Sequence, residues 1–166
     1  MAARTPSQTV GPFFHEALRW KDGGKVAGDG EPVVLVGRIT DGSGAPVSDA
    51  MVETWQAVAQ GAATASGNPR GFARVETAAD GTFRIETAMP PGELPFLDVT
   101  LLARGLLKAL RTRVYLAPEQ AVRADPLLAP IAASPRLATL VARRAGGEYR
   151  WDVRLQGEGE TVFFAA

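Results

Sequence analysis

The chain has 166 residues, 46% apolar and 22% charged, a balance that fits one globular domain long enough to bury a core and argues against disorder. Eighteen basic and eighteen acidic residues give a formal charge of zero, so no global field favours nucleic acid or an anionic membrane, and small molecules or proteins are the expected partners. There is no cysteine, which excludes disulfides, thiolate metal sites and cysteine nucleophiles, while 18 glycines and 12 prolines spread along the chain predict short strands between many turns, an all-β class.

In chain order, the run Thr5-Pro6-Ser7-Gln8-Thr9-Val10-Gly11-Pro12-Phe13-Phe14 comes first. Pro6 and Pro12 fix φ, lack amide donors and push Thr5 and Gly11 away from helical geometry, so the run is expected to be extended. Two adjacent phenylalanines bury roughly 150 to 250 Å² each when packed. Residues 1–20 are therefore expected to be an arm docked on its own domain, a partner or both, and residues 21–166 a single domain. Trp20 to Pro32, rich in Gly, Lys and Asp, reads as an exposed loop. Val33 to Thr40, the turn Asp41-Gly42-Ser43-Gly44 and Val47 to Ala57 make one strand-turn-strand unit. Phe72 to Thr77, the turn Ala78-Ala79-Asp80-Gly81 and Thr82 to Thr87 make a second, with Phe83 and Ile85 on one face and Arg84 and Glu86 on the other. Ala59 to Gly71, between the units, is small and polar and reads as a surface excursion.

Phe96 to Ala103 and Thr112 to Leu116 are two further strands around Gly105 to Arg111. Pro118 to Pro135 holds the only helical material, Asp125 to Ala133, cut short by Pro126 and Pro130 and expected to build no helical core. Leu137 to Arg143, Glu148 to Leu155 and Thr161 to Phe164 close the chain as strands, with Gly157-Glu158-Gly159 as a hairpin turn. About eight strands at regular spacing predict a sandwich. No apolar run approaches membrane-spanning length and no charged-then-apolar leader is present, so a soluble, cytoplasmic protein is the expectation.

His15 is the only histidine. One chain therefore cannot build a His-x-His, His-Glu-x-x-His or two-histidine facial metal site, and a Ser, His, Asp triad has a single candidate base. An interface or surface role is expected for His15. No Gly-x-x-x-x-Gly-Lys-Ser/Thr loop supports nucleotide binding. Asp41, Asp80 and Asp125 fall in turns or beside a helix start, where bonding to nearby backbone accounts for them. Trp55, Trp151, Tyr115 and Tyr149 fall in strands, which predicts core or interface packing.

The arm, together with Gly37-Arg38-Ile39-Thr40-Asp41 to Val47, Val52-Glu53-Thr54-Trp55-Gln56-Ala57, Arg74 to Gly92, Leu101 to Leu107, Thr112 to Leu116 and Asp125 through Val141, resembles the intradiol ring-cleaving dioxygenases. Almost the whole chain is covered, except Trp20 to Glu31. The arm and Ala103-Arg104-Gly105 are the more diagnostic parts, since Asp-Gly turns such as Asp80-Gly81 recur in many sandwich modules. The resemblance implies an all-β, transthyretin (prealbumin)-like β-sandwich with little helix. Within the family it implies a subunit of the α type, which binds no metal and assembles with a related β subunit into αβ units of a larger oligomer. The β subunit holds Fe(III) through two tyrosines and two histidines. In this chain Phe96-Leu97-Asp98 stands at the place of that subunit's His-x-His, Leu94 lies near one tyrosine's place, and Ala59 to Gly71 has no tyrosine. Phe96 has no lone pair to donate, and Asp98 alone makes no iron site.

The implied reaction is O₂-dependent cleavage of 3,4-dihydroxybenzoate to 3-carboxy-cis,cis-muconate, with the metal on the partner. The resemblance further implies that Thr9, Gly11 and Pro12 line the substrate pocket and that Arg113 adds positive potential near the substrate carboxylate. A glycine lets backbone approach a flat ring, a proline stiffens it, and an arginine can pair with a carboxylate. For Arg113 an ordinary ion pair stands equally open. The alternative for the whole chain is a noncatalytic transthyretin-like module for binding or adhesion, which would be an exported protein.

Overall fold

The computed structural model describes residues 17–19, 21–26, 30–57 and 71–164. Nine strands form among them: β1 (Pro32–Thr40), β2 (Met51–Trp55), β3 (Phe72–Glu76), β4 (Thr82–Ala88), β5 (Phe96–Leu102), β6 (Leu110–Tyr115), β7 (Arg143–Ala145), β8 (Glu148–Arg150) and β9 (Val153–Arg154). One sheet runs β4-β1-β8-β7, with β9 also paired to β1, and the other runs β3-β2-β5-β6. In β4, Phe83 and Ile85 are buried while Arg84 is exposed, the period of two that the sequence carries. The inward faces meet in a core that includes Leu35, Ile39, Val52, Ile85, Leu97, Val99, Leu101 and Val114. Burying one such side chain contributes roughly 1.5 to 3 kcal/mol. The all-β sandwich expected from the sequence is the fold observed.

The two strand-turn-strand units do not close as hairpins. β1 pairs antiparallel with β4, and β2 pairs with β3 and β5, so each turn carries the chain from one sheet to the other. β2 begins at Met51 rather than Val47, which leaves a connection too long for a tight hairpin and long enough to cross the sandwich. The Asp41 carboxylate accepts hydrogen bonds from the Ser43 and Ala45 amides, both at 2.9 Å. Its bond from the Ser43 hydroxyl, with those from the backbone, holds its pKa below the usual value. The Thr77 hydroxyl donates to the Val47 carbonyl at 2.7 Å and accepts from the Ala50 amide at 3.0 Å, pinning the first crossing to the end of β3. At the second crossing Gly81 has φ of 81°, and a Cβ there would stand 2.6 Å from the Ile39 carbonyl oxygen, so conformation and space both demand glycine.

Four further expectations are corrected. The described part of the Trp20 to Pro32 segment is a clasp rather than an exposed loop. Val26 is buried in the core, and the Glu86 amide of β4 donates to Gly24 at 2.7 Å while the Arg74 amide of β3 donates to Gly23 at 2.8 Å. The clasp thus satisfies edge groups of both sheets that would otherwise lie open. Leu137 to Arg143 is not a strand. Pro135–Leu140 is a 3₁₀ segment that starts with Ser134 accepting from the Arg136 amide at 3.2 Å, with Pro135 at the first position, where a missing amide costs nothing.

The short helical pieces also bury a core of their own. Val122 of the single turn Glu119–Val122, Leu128 of the 3₁₀ segment Pro126–Ile131, and Leu137 and Leu140 cluster with Tyr115. Prolines limit their length but not their apolar content, and that content finds a surface beside β6. Finally, the closing strands are shorter than expected. Glu148 to Leu155 breaks at Trp151, whose amide still bonds the Val36 carbonyl at 2.9 Å, and Thr161 to Phe164 makes only a bridge from Phe164 to Arg111. The turn at residues 157–159 does reverse the chain, bringing the Thr161 amide 3.0 Å from the Arg154 carbonyl. No described helix is long and apolar enough to cross a membrane.

Candidate functional site

Strand alternation turns Leu97, Val99 and Leu101 of β5 inward, and so sends Phe96, Asp98 and Thr100 to the outer face of the second sheet. The antiparallel register with β6 sets Phe96 opposite Tyr115, Asp98 opposite Arg113 and Thr100 opposite Arg111. On its other side Asp98 faces Trp55 of β2, and the Trp55 ring lies tilted against Phe72 of β3 with ring centroids 4.5 Å apart. The result is a cross-strand band of aromatic and charged side chains on one face.

Arg113 is the hub of that band. Its Nε donates to Asp98 Oδ1 at 2.9 Å, its Nη1 to the Tyr115 hydroxyl at 3.4 Å, and Nη1 lies 3.8 Å from Asp125 Oδ2. The guanidinium sits 3.7 Å from the centre of the Phe96 ring, in cation–π range. Its side chain is 19% exposed. Burial works against its charge, but the hydrogen bonds to Tyr115 and Asp98 outweigh burial and raise its pKa above the ordinary arginine value.

The Tyr115 hydroxyl donates to Asp125 Oδ2 at 2.6 Å. Asp125 Oδ1 meanwhile accepts from the Leu127 amide at 2.9 Å and starts the 3₁₀ segment, so one carboxylate ties β6 to the layer that covers it. Burial and the bond to Asp125, opposed by Arg113, push the Tyr115 phenol up to about 12. A folded value above the ordinary 10.0 means that this stabilisation is complete below 10.0 and is lost only as pH rises toward about 12. Tyr115→Phe is expected to lower the unfolding free energy by about 1 to 3 kcal/mol, because it leaves the half-buried Asp125 oxygen without its donor. Urea titrations at several pH values between about 6 and 9 should give the same loss throughout, and a loss that varied across that range would place the titrating group elsewhere.

The residues at the positions implied for metal ligands do not fit a metal. The Phe96 ring lies against a guanidinium, and the Asp98 carboxylate is engaged by the same cation. Among the described residues no group of three or more His, Cys, Asp or Glu side chains could hold a metal ion. Of the expected site residues, Thr9, Gly11 and Pro12 lie outside the described residues, as does His15. Arg113 lies on the outer face, and its ion pairs are with Asp98 and Asp125. Sequence reasoning assigned Asp125 a turn role, which the Leu127 bond bears out, but missed its link to Tyr115. It also missed the Asp98 and Arg113 pair, for which a signal was present. Counting outward equally from the bend at Gly105 and Leu106 reaches Thr100 with Arg111, then Asp98 with Arg113.

Comparisons with known proteins agree with this architecture. The Dioxygenase_C family model, described as Dioxygenase, matches residues 6–100. The protocatechuate 3,4-dioxygenase alpha chain of Burkholderia cepacia is 42% identical over 97% of this chain and 96% of its own length. The beta chain from the same organism is 27% identical over 93% of this chain and 77% of its own. Among solved structures, the dioxygenase domain of a dioxygenase carbohydrate-binding protein fusion from Streptomyces sp. SirexAA-E superposes with a TM-score of 0.56 at 23% identity, covering 96% of this chain and 100% of that one, a likeness of fold.

Proposed function

Because the chain belongs to the intradiol dioxygenase family, with a protocatechuate 3,4-dioxygenase alpha chain as a near relative, we propose that it is the α subunit of such an enzyme and works without a metal of its own. Its partner is a homologous β subunit that carries Fe(III), in αβ units of a larger cytoplasmic assembly. The reaction is O₂-dependent intradiol cleavage of 3,4-dihydroxybenzoate to 3-carboxy-cis,cis-muconate. The redox chemistry belongs to the partner's iron, and no step of it runs through this chain. Residues 1–20 act as an arm on the single domain 21–166. Thr9, Gly11 and Pro12 wall the substrate pocket, and Arg113 biases it toward the substrate carboxylate.

The observation that carries this reading is the use of Phe96 and Asp98. Both are held by Arg113 at 3.7 Å and 2.9 Å, at the positions where an iron-bearing subunit would need free donors. Expression alone and with the partner tests it. The lone chain is expected to contain no stoichiometric iron and to turn over no 3,4-dihydroxybenzoate, while the pair regains both. Full iron content and full activity in the lone chain would overturn the reading.

A further inference from the structure

The edge strands that the clasp joins, β3 and β4, contribute with it to the walls of a cavity of about 610 Å³, inside the range of about 300 to 1,000 Å³ usual for small-molecule sites. Glycine makes the room. Gly23 and Gly24 wall it without side chains, and a Cβ on Gly24 would stand 2.8 Å from Val75 Cγ1 and 3.1 Å from the Arg84 carbonyl oxygen. Its apolar lining comes from Leu18, Val36, Met51, Val75 and Phe83, of which Met51 and Phe83 are buried. Phe96, Asp98, Arg113 and Tyr115 take no part in it.

The charged lining is one-sided. Four guanidiniums, those of Arg19, Arg74, Arg84 and Arg150, line the cavity with a single carboxylate, Glu76. Glu53 holds Arg74 at 2.7 Å, Glu148 holds Arg84 at 2.6 Å and Asp152 holds Arg150 at 3.3 Å, and all three of these carboxylates stand outside the lining. Arg19 differs. Its partner at 2.9 Å is Glu76 itself, and the two side chains are 62% and 38% exposed. A pair so exposed adds little to stability, so an incoming anion can take the guanidinium at small cost to the fold.

We propose that this cavity binds a small amphipathic anion, its apolar body seated on Val36, Met51, Val75 and Phe83 and its carboxylate head paired with Arg19. The apolar lining supplies burial, and the charge-assisted bond to a guanidinium selects the head. The proposal does not rest on the α-subunit reading. Were the Arg19 and Glu76 pair only a clip that fastens the chain before the clasp to β3, no such ligand would bind.

Octanoate and 2-naphthoate are the probes, titrated calorimetrically into the full chain, with its partner subunit where the two assemble. Comparing each variant with wild type removes any binding at the partner's iron. At least one probe is expected to bind with Kd on the order of 100 μM, and the matched neutral alcohols, 1-octanol and 2-naphthalenemethanol, about tenfold more weakly. Arg19→Gln should weaken the carboxylate about threefold to tenfold, while Glu76→Gln, which frees Arg19, should tighten it by a similar factor. Ala78 lines the cavity and is exposed, so Ala78→Trp should close it and remove the binding without disturbing the core. Melting temperatures close to wild type in all three variants exclude a folding defect. Absence of saturable binding by both carboxylates, equal binding of the alcohols, or an isotherm that Ala78→Trp and Arg19→Gln leave unchanged would each overturn the proposal.

Discussion

Deleting residues 1–12, with the shortened chain assembled on its iron-bearing partner, is expected to cut turnover of 3,4-dihydroxybenzoate about a hundredfold while the partner keeps its iron. The deletion spares every described strand and both apolar clusters, whose buried members run from Val26 to Val162. It removes Thr9, Gly11 and Pro12, the proposed wall of the pocket. A wall that positions a flat substrate acts mainly through orientation, and misplacement by about 1 Å can cost on the order of 10²-fold in rate. Single substitutions separate the parts. Gly11→Val places a branched side chain where close approach to a ring is proposed, and should raise KM more than it lowers kcat. A shortened chain that assembles and turns over at the wild-type rate would take the arm out of the pocket. Loss of iron from the assembly would make the arm a support for the partner's fold instead.

What could be read in the sequence was whatever depended on neighbours in the chain. The alternation of Phe83, Arg84, Ile85 and Glu86 fixed a face before any pairing was known, and Asp41, Asp80 and Asp125 announced turns because their carboxylates bond amides two residues on, as the Ser43, Thr82 and Leu127 contacts bear out. What could not be read depended on distant partners. Whether Asp41 to Gly44 closes a hairpin or crosses to another sheet is decided by β4, more than 40 residues away, which takes the edge of β1 that β2 would have needed. Leu137 to Val141 has the composition of a strand. It becomes a 3₁₀ segment because Pro135 and Ser134 start one and a buried Tyr115 offers its leucines a surface. That one chain could not supply a two-histidine metal site was legible from its single histidine, and the Asp98 and Arg113 pair was legible only by counting outward from the bend at Gly105 and Leu106, which sets the β5 and β6 register.

The same dependence on distant partners makes Gly37 the position where the smallest substitution should have the largest structural effect. Replacing glycine by alanine inside a strand ordinarily gains about 0.5 to 1 kcal/mol from reduced chain entropy. Here a Cβ on Gly37 would overlap the Trp151 carbonyl oxygen and stand 2.7 Å from the edge of the Phe83 ring. The carbonyl is the harder obstacle. It is backbone at the junction of β8 and β9, and the Trp151 amide is tied to the Val36 carbonyl at 2.9 Å, so it cannot swing aside as a side chain can. Phe83 is itself held edge-on against the Trp151 indole, with centroids 6.4 Å apart. Relief therefore requires β8 and β9 to shift against β1, and Gly37→Ala is expected to destabilise the fold by about 3 kcal/mol or more, read as a drop in the urea midpoint. Adding Phe83→Leu distinguishes the two obstacles. That change clears the ring but leaves the carbonyl, so the double variant should regain none of the loss, and recovery of more than half would identify the ring as the barrier and show that the parallel contact between β1 and the C-terminal strands can yield.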